Sequence, residues 1–136
     1  MRVIPQFTRP EVESLSIDLP FPPSMNRLWR STKSGKHYRS PRYQTWFQAA
    51  GIEINRQRPG KVSGAFSVLL QLGRPDRRKR DLDNLMKPVL DLLQHYGVID
   101  DDGLAQHVSI HWSDTIKGAH VVLSKWGTRE AERAAA

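Results

Sequence analysis

Five closely spaced aspartates are the side chains of this 136-residue chain that are best suited to chemistry. Asp81 and Asp83 stand two positions apart, and Asp100, Asp101 and Asp102 follow after a predicted helix. Carboxylates brought together repel one another at neutral pH unless a cation neutralises them. Carboxylate oxygens suit Mg²⁺ or Mn²⁺, which complete their coordination on a phosphate. Such ions stabilise the attacking and leaving oxygens of a phosphodiester, so the pattern indicates metal-assisted hydrolysis.

A run of four cationic residues leads directly into Asp81. It consists of Arg77, Arg78, Lys79 and Arg80, all four of which we expect to bind backbone phosphates of DNA near the cut. The whole chain has 21 Lys and Arg against 14 Asp and Glu, a formal net charge of +7, which favours a polyanionic partner. A protein that only binds nucleic acid has little use for aspartates, because phosphate repels them. Cations and carboxylates together therefore favour a protein that cuts nucleic acid with metal ions.

The polar segment 24–40 supplies a second group of candidate contacts. Six of its side chains are candidates to bind DNA: Asn26, Arg27, Arg30, Lys33, Lys36 and Arg39. Long segments without regular structure are usually functional or disordered when they occur in compact domains. We therefore expect a basic loop here that contacts DNA or a dimer partner.

Each acidic motif also has a structural interpretation. Asp81 can cap a helix, and Asp83 can favour the dipole of that helix, without any part in catalysis. Residues 100–103 can form a polar turn, and their spacing does not fit an EF-hand loop. From the residues alone, these structural interpretations stay open beside the catalytic one.

Composition excludes several other classes of protein. The chain contains no Cys, which rules out disulfides, thiolate metal sites and a thiol nucleophile. No apolar run approaches the roughly 18 residues of a membrane span, and the N-terminus lacks the apolar stretch of a signal peptide. A Gly-rich phosphate-binding loop is also absent from the sequence. We expect a cytoplasmic protein with no membrane association and no small-molecule cofactor.

Hydrophobic periodicity places these motifs on an α/β (α+β) scaffold. Alternating apolar residues predict strands at 15–19, 66–72, 108–112 and about 121–123. Helical stripes run over 43–54, after a Ser40 cap, and from about 83 to 96. The order β-α-β-α-β-β predicts a small mixed β-sheet covered by two helices. Residues 116–118 suggest a hairpin between the last two strands.

The length fits one domain, which at this size buries roughly two-thirds of its unfolded surface. The first residues contain two prolines and no clear period, and the last residues are typical of a frayed helix or a tail. We therefore expect an N-terminal extension at 1–13, a nuclease domain at 14–126 and a C-terminal tail at 127–136.

Three of these motifs resemble those of the RusA family of Holliday-junction resolvases, which bacteria and their prophages encode. The segment LPFPPSMNR at 19–27 is similar to the N-terminal signature of the family. The segment PDRRKRDLDNL at 75–85 is similar to the catalytic segment almost residue for residue, and GVIDDD at 97–102 to the third carboxylate segment. The resemblance extends over about residues 15–122, and the long catalytic string is its most specific part.

The resemblance implies a metal site. Asp81 and Asp83 match the first two catalytic aspartates of the family, which hold Mg²⁺, with Mn²⁺ as a substitute ion. Asp102 matches the third by its spacing from Asp83, and Asp101 is the alternative third ligand. This chain departs from the family pattern in having a further acid, Asp100, before this pair.

The resemblance also implies an activity. The family is homodimeric and nicks four-way DNA junctions symmetrically, which makes branched DNA the expected partner. Lys87 matches a functionally important lysine, expected to stabilise charge at the phosphate or the attacking water, and Arg80 matches a basic residue beside the site. Two other functions stay open on the sequence: a non-catalytic nucleic-acid-binding module, and a metal-dependent nuclease without junction selectivity.

Overall fold

Four strands form a mixed sheet in the computed structural model, which describes residues 9–24, 29–31 and 37–127. In chain order the helices and strands are β1 (Ser14–Leu19), β2 (Trp29–Ser31), β3 (His37–Arg39), α1 (Pro41–Gln57), β4 (Phe66–Gly73), α2 (Met86–His95), β5 (Ala105–Ser113) and β6 (Ala119–Lys125). Short 3-10 helices, Leu82–Leu85 and Asp102–Leu104, precede α2 and β5. Apart from the short strands β2 and β3, the observed elements confirm the predicted β-α-β-α-β-β order and the mixed α+β class.

The sheet brings the ends of three strands to one edge. Its order is β1-β6-β4-β5, in which β6 runs antiparallel to β1 and β4, and β5 runs parallel to β4. β1, β4 and β5 therefore point the same way and end near Leu19, Gly73 and Ser113. Since β4 is an inner strand, the segment 74–85 that follows it starts at the middle of this edge.

The hairpin predicted through residues 116–118 is wrong. β5 and β6 do not pair, because β4 lies between them. Their connection instead crosses the end of β4, where the Gly73 N–H donates to the Gly118 carbonyl oxygen at 2.9 Å. A Cβ added at Gly73 would lie 1.7 Å from the Ile116 carbonyl oxygen. Only glycine therefore lets the connection pass this close to the end of β4.

The polar segment 24–40, predicted as a loop, contains a small antiparallel pair. β2 pairs with β3, with Trp29 opposite Arg39, and the two strands form a sheet of their own. Strands of three residues are too short to show an alternating apolar pattern, so the sequence does not reveal them.

One hydrophobic core joins the sheet to both helices. The inward side chains of β4 are almost completely buried: Phe66, Val68, Leu70 and Leu72. α1 buries the predicted stripe, which includes Tyr43, Trp46, Ala50 and Ile54. The Ser40 hydroxyl accepts a hydrogen bond from the Tyr43 N–H at 3.2 Å, which confirms the predicted cap. The alternating and helical apolar patterns thus predicted the core correctly.

A short 3-10 helix separates Asp81 from the start of α2. The sequence predicted a helix from Asp83 or Asn84, and the structure has a 3-10 helix there, with regular helix from Met86. Pro88 is the third residue of α2, where its missing N–H removes no helical hydrogen bond. Buried side chains, including those of Leu92 and Leu93, hold the helix against the sheet.

Residues 9–13, assigned by the sequence to the N-terminal extension, pair with the segment after α1. The Val12 N–H donates to the Lys61 carbonyl oxygen at 2.9 Å, and the Lys61 N–H donates to that of Pro10 at 2.8 Å. The Arg9 guanidinium donates to the carbonyl oxygens of Tyr96 and Pro59. This part of the extension therefore packs on the domain. Within the described ranges, no helix has the length and apolar character needed to cross a membrane.

Candidate active site

Asp81 and Asp83 lie where the segment after β4 turns into helix. Asp81 has extended backbone angles, φ −90° and ψ 119°, and occupies the cap position of the 3-10 helix, but its side chain makes no capping hydrogen bond. Both side chains are exposed, and neither carboxylate makes a hydrogen bond or ion pair with a described residue. The Asp81 side chain therefore does not cap this helix, and within the described part of the chain both carboxylates are available to bind a ligand.

Asp102 reaches the start of α2 from the next segment of the chain. Its Oδ2 lies 2.5 Å from Lys87 Nζ. The Asp102 N–H donates to Gln94 Oε1 at 2.9 Å, which holds its backbone against the same helix. Lys87 also contacts Asp91 one turn further along, at 3.0 Å. Lys87 thus has two carboxylate partners.

These contacts fix the charge of the pair. The hydrogen bonds that Lys87 donates to Asp102 and, second, to Asp91 raise the pKa of Lys87 above its usual value. The hydrogen bond from Lys87 is in turn the main reason that the pKa of Asp102 is lowered. At neutral pH Lys87 is therefore a cation in this state. A protonated ammonium group can stabilise negative charge but cannot accept a proton.

The three consecutive aspartates have three different environments. The carboxylate of Asp100 accepts from Lys61 Nζ at 2.6 Å and from the Gly64 N–H at 2.9 Å. Asp101 accepts from the Gly103 N–H at 2.8 Å and so caps the 3-10 helix before β5. Asp102 alone of the three contacts Lys87. Asp102, and not Asp101, is therefore the acidic residue that lies against Lys87 at the start of α2.

The donors fit a hard divalent ion in their chemistry, although they do not form a closed cluster. Among the described residues, no group of three His, Cys, Asp or Glu side chains is gathered closely enough to hold a metal ion. Mg²⁺ usually keeps several waters and binds through one or two carboxylates together with substrate phosphates. The exposed carboxylates of Asp81 and Asp83 provide such oxygens, and Asp102 lies beside the cation of Lys87.

Asp76 organises the cationic run before Asp81. Its Oδ1 accepts from the Arg78 N–H at 2.9 Å, which closes a turn. Arg80 donates to both oxygens of the carboxylate, at 2.5 and 3.0 Å. These two residues, Arg80 first, hold the pKa of Asp76 well below its usual value. Arg77 and Lys79 differ from them, because they are exposed and have no ion pair with a described residue.

A groove of about 570 Å³ lies between this cationic run and the start of α1. Its charged and polar lining consists of Ser24, Arg42, Asp76, Arg78, Lys79, Arg80, Asp81 and Asn84. Phe21, Trp46 and Leu85 are among the hydrophobic residues that line it. Arg42 stands in the first turn of α1 and is exposed. The groove therefore presents cations next to the exposed carboxylate of Asp81.

The structure describes only two of the six candidate DNA-binding residues in segment 24–40. Four of them lie outside the described residues: Asn26, Arg27, Lys33 and Lys36. Arg30 and Arg39 lie in β2 and β3, opposite Tyr38 and Trp29.

Sequence reasoning missed Asp91, Gln94 and Asp76. Asp91 stands four residues after Lys87, a spacing that places both side chains on one helical face. Asp76 stands two and four residues before the arginines that it binds. Both spacings are visible in the sequence, but they are common on solvated surfaces. Gln94 Oε1 accepts from the Asp102 N–H, a contact that no local pattern predicts.

Comparison with known proteins supports the motif resemblance. The family model described as endodeoxyribonuclease RusA matches residues 20–124. A protein of Aquifex aeolicus (strain VF5) named crossover junction endodeoxyribonuclease RusA is 39% identical over 95 residues, which cover 69% of this chain and 74% of that protein. A protein of the same name from Escherichia coli (strain K12) is 29% identical over 113 residues, covering 83% and 94%. One from Enterobacteria phage HK97 is 35% identical over 86 residues, covering 62% and 70%. The chain belongs to the RusA family of endodeoxyribonucleases.

Proposed function

We propose that this chain is a divalent-metal-dependent endodeoxyribonuclease that resolves four-way DNA junctions by paired nicks. One observation carries the proposal: Asp81 and Asp83 are exposed, without a partner among the described residues, directly before the helix whose Lys87 contacts Asp102. The names of the relatives, crossover junction endodeoxyribonucleases, agree with it. A binding module would have no use for unpaired carboxylates that repel the DNA backbone.

Asp81, Asp83 and Asp102 would hold the ion, which we take to be Mg²⁺, with Mn²⁺ as a substitute. When bound, such an ion supplies charge neutralisation at the scissile phosphate and a more acidic coordinated water. Asp81 and Asp83 would not have to leave any partner among the described residues to contribute oxygens. Asp102 has to share its carboxylate with Lys87 or release it. Asp101 is the alternative third ligand: its Oδ1 accepts from the Gly103 N–H, whereas Asp102 is the one that lies against Lys87 at the start of α2.

The cations of the site have separate tasks in this proposal. Lys87 is protonated and stabilises the charge that develops on the phosphate or on the attacking water. Arg77 and Lys79, which are exposed, bind backbone phosphates beside the cut. Arg78 has a similar position but also contacts Asp76. The basic segment 24–40 supplies further DNA or dimer contacts.

We propose that the active form is a homodimer. A four-way junction has near-twofold symmetry, and an isologous dimer presents two identical sites related by the same symmetry. Two sites permit a nick in each of two opposing strands while the junction stays bound. A monomer would have to dissociate, or turn over on the junction, between the two nicks.

A cleavage assay tests the function. A synthetic four-way junction is compared with a linear duplex of the same sequence, each with Mg²⁺ and with EDTA. We expect paired, Mg²⁺-dependent nicks near the branch point and none in the duplex. Equal cutting of both substrates would replace the proposal with a nuclease that lacks junction selectivity. Binding without cleavage in either Mg²⁺ or Mn²⁺ would replace it with a non-catalytic DNA-binding module.

A further inference from the structure

Arg80, the residue immediately before Asp81, is held by two different side chains. Its guanidinium makes a two-pronged contact with the carboxylate of Asp76, and its Cζ lies 5.4 Å from the centre of the Phe21 ring. Only 18% of the Arg80 side chain is exposed, although it ends a run of exposed residues. Arg80 is therefore less able to reach DNA than Arg77 or Lys79.

The contacts continue from Arg80 across the edge of the sheet. The Phe21 ring stacks on Trp112, with ring centres 6.1 Å apart and planes 6° from parallel. The Arg74 Cζ lies 4.2 Å from the centre of the Trp112 ring. Phe21 follows β1, Arg74 follows β4 and Trp112 lies near the end of β5. The contacts thus tie the ends of three parallel strands to the residue before Asp81.

We propose that these five residues, Asp76, Arg80, Phe21, Trp112 and Arg74, form a clamp that fixes the backbone at Asp81. Asp76 and Trp112 are then positioning residues, which act on cleavage through Arg80. The part of this inference that concerns cleavage rests on the proposed function. The part that concerns the backbone does not.

The physical basis of the clamp is orientation. A two-pronged arginine–carboxylate contact fixes direction as well as distance, and a planar guanidinium also packs on an aromatic ring. The Asp81 side chain makes no capping hydrogen bond and no other hydrogen bond to a residue that the structure describes. Its placement therefore depends on its neighbours, Arg80 on one side and the 3-10 helix on the other. A displacement of about 1 Å at a reacting group lowers rates by up to about 100-fold.

A role in phosphate binding does not explain this arrangement. Asp76 neutralises Arg80 and would itself repel a phosphate. Trp112 has Phe21 and Arg74 as partners, so its contacts are internal to the protein. A residue selected to bind the DNA backbone would keep its charge exposed, as Lys79 does.

The first test separates cleavage from binding. The variants Trp112→Ala and Asp76→Ala are compared with Trp112→Phe, which keeps an aromatic ring. We expect Trp112→Ala and Asp76→Ala to lower the single-turnover cleavage rate about 10- to 100-fold. We expect their junction Kd, measured in EDTA, to be unchanged or tighter, and Trp112→Phe to retain most of the rate. A weaker Kd with an unchanged rate constant would overturn the proposal in favour of a DNA contact.

Two controls match these variants in chemistry. Trp126→Ala removes an exposed tryptophan that follows β6 and lies outside the clamp. Glu53→Ala removes a carboxylate that binds an arginine, Arg56, on the surface of α1. Neither should change the cleavage rate. A loss of rate in both controls equal to that in the clamp variants would show general sensitivity to substitution and overturn the proposal.

The second test needs neither DNA nor metal. Amide hydrogen exchange is measured at Arg78, whose N–H donates to Asp76, and at Asn84, whose N–H donates to the Asp81 carbonyl oxygen. We expect faster exchange at Asn84 in Trp112→Ala and at both positions in Asp76→Ala, but no change in either control. Unchanged exchange in the clamp variants would overturn the proposal. If the unsubstituted protein cleaves no junction, the proposed function fails, and the exchange measurement still decides whether the clamp holds Asp81.

Discussion

Lys87 Nζ lies 2.5 Å from Asp102 Oδ2, a contact that joins the first turn of α2 to the 3-10 helix before β5. Asp91 lies 3.0 Å from the same nitrogen. The two carboxylates are not equivalent, because Asp102 is a proposed metal ligand and Asp91 is not. If a bound ion were to draw Asp102 away from Lys87, Asp91 would remain as a partner of the lysine. Asp91 can therefore keep the lysine in place during catalysis.

This relationship predicts that Asp91 acts through Lys87. We expect Asp91→Asn to lower the cleavage rate by about tenfold, because Lys87 loses the partner that keeps its orientation. Lys87→Met should lower the rate more, by about 100- to 1000-fold, because charge stabilisation at the phosphate is lost. In the Lys87→Met background, Asp91→Asn should have no further effect. Additive effects of the two substitutions in single-turnover assays would show that Asp91 acts independently.

Asp83 provides a prediction about binding and cleavage together. We expect Asp83→Asn to abolish cleavage and to leave junction binding equal or tighter, because the substitution removes a charge that phosphate repels. Cleavage is measured with Mg²⁺, and binding by gel shift in EDTA. Glu13→Gln, which alters an exposed acidic residue just before β1, is the control. Loss of junction binding in a folded Asp83→Asn protein would count against a metal-ligand role.

Much of the candidate site could be predicted because it is local in sequence. Asp81, Asp83 and the cationic run lie together, and their residue types alone indicate metal ions and phosphate. The role of Asp91 could not be predicted in this way, since an (i, i+4) Lys–Asp pair on a helix is usually a solvated surface pair. Asp91 differs from such a surface pair because its partner Lys87 also contacts Asp102, which comes from another segment of the chain. Similarly, the sequence pattern around Trp112 is that of an ordinary strand residue. Only the folded structure shows that Trp112 stacks on Phe21.

The strand order of the sheet is another feature that the sequence pattern could not predict. Periodicity predicted all four strands of the main sheet, but it says nothing about which strands are neighbours. A short connection between β5 and β6 normally indicates a hairpin. Here the end of β4 carries Gly73, which has no side chain to block the crossing connection. The observed strand order therefore depends on the missing side chain of Gly73, and the spacing of apolar residues gives no information about it.

Gly73→Ala should consequently destabilise the fold. The added Cβ would meet the backbone at Ile116, which cannot move away as a flexible side chain can. We expect a loss of about 1 to 3 kcal/mol in the free energy of unfolding, the range typical of overpacked sites. Urea denaturation followed by circular dichroism measures this loss. An unchanged midpoint and slope would show that the connection can shift at no cost.

Ion-paired carboxylates should make the free energy of unfolding depend on pH in the acid range. Arg80 and Arg78 lower the pKa of Asp76, and Lys61 and the Gly64 N–H lower the pKa of Asp100. A carboxylate whose pKa is lower in the folded state stabilises the fold above its unfolded value of about 3.9. This stabilisation is lost as the pH falls through the folded value.

We therefore expect the urea midpoint to fall as the pH is lowered from about 5 to about 2. Asp76→Asn and Asp100→Asn should each make this fall shallower, because one shifted carboxylate is removed. The difference between each variant and the unsubstituted protein should be largest near neutral pH and shrink in acid. Parallel curves over the whole range would mean that these ion pairs do not persist in solution.

Arg77 and Lys79 should carry the salt dependence of DNA binding. Both are exposed and have no ion pair with a described residue. Each phosphate contact releases counterions and adds about 0.9 to the slope of log affinity against log salt. We expect Arg77→Ala and Lys79→Ala each to reduce that slope by about 1 and to weaken binding to junction and duplex alike. Arg56→Ala, which alters an arginine paired with Glu53 on α1, should leave the slope unchanged.

Arg80→Ala completes this series, because Arg80 carries the same charge in the same run but is paired with Asp76. A guanidinium that is already neutralised by a carboxylate releases few counterions from DNA. We therefore expect Arg80→Ala to change the salt slope less than Arg77→Ala does, and to lower the cleavage rate more. If the two substitutions reduce the slope equally, Arg80 leaves Asp76 to meet a phosphate when DNA binds. The clamp would then exist only in the free protein and could not position Asp81 during cleavage.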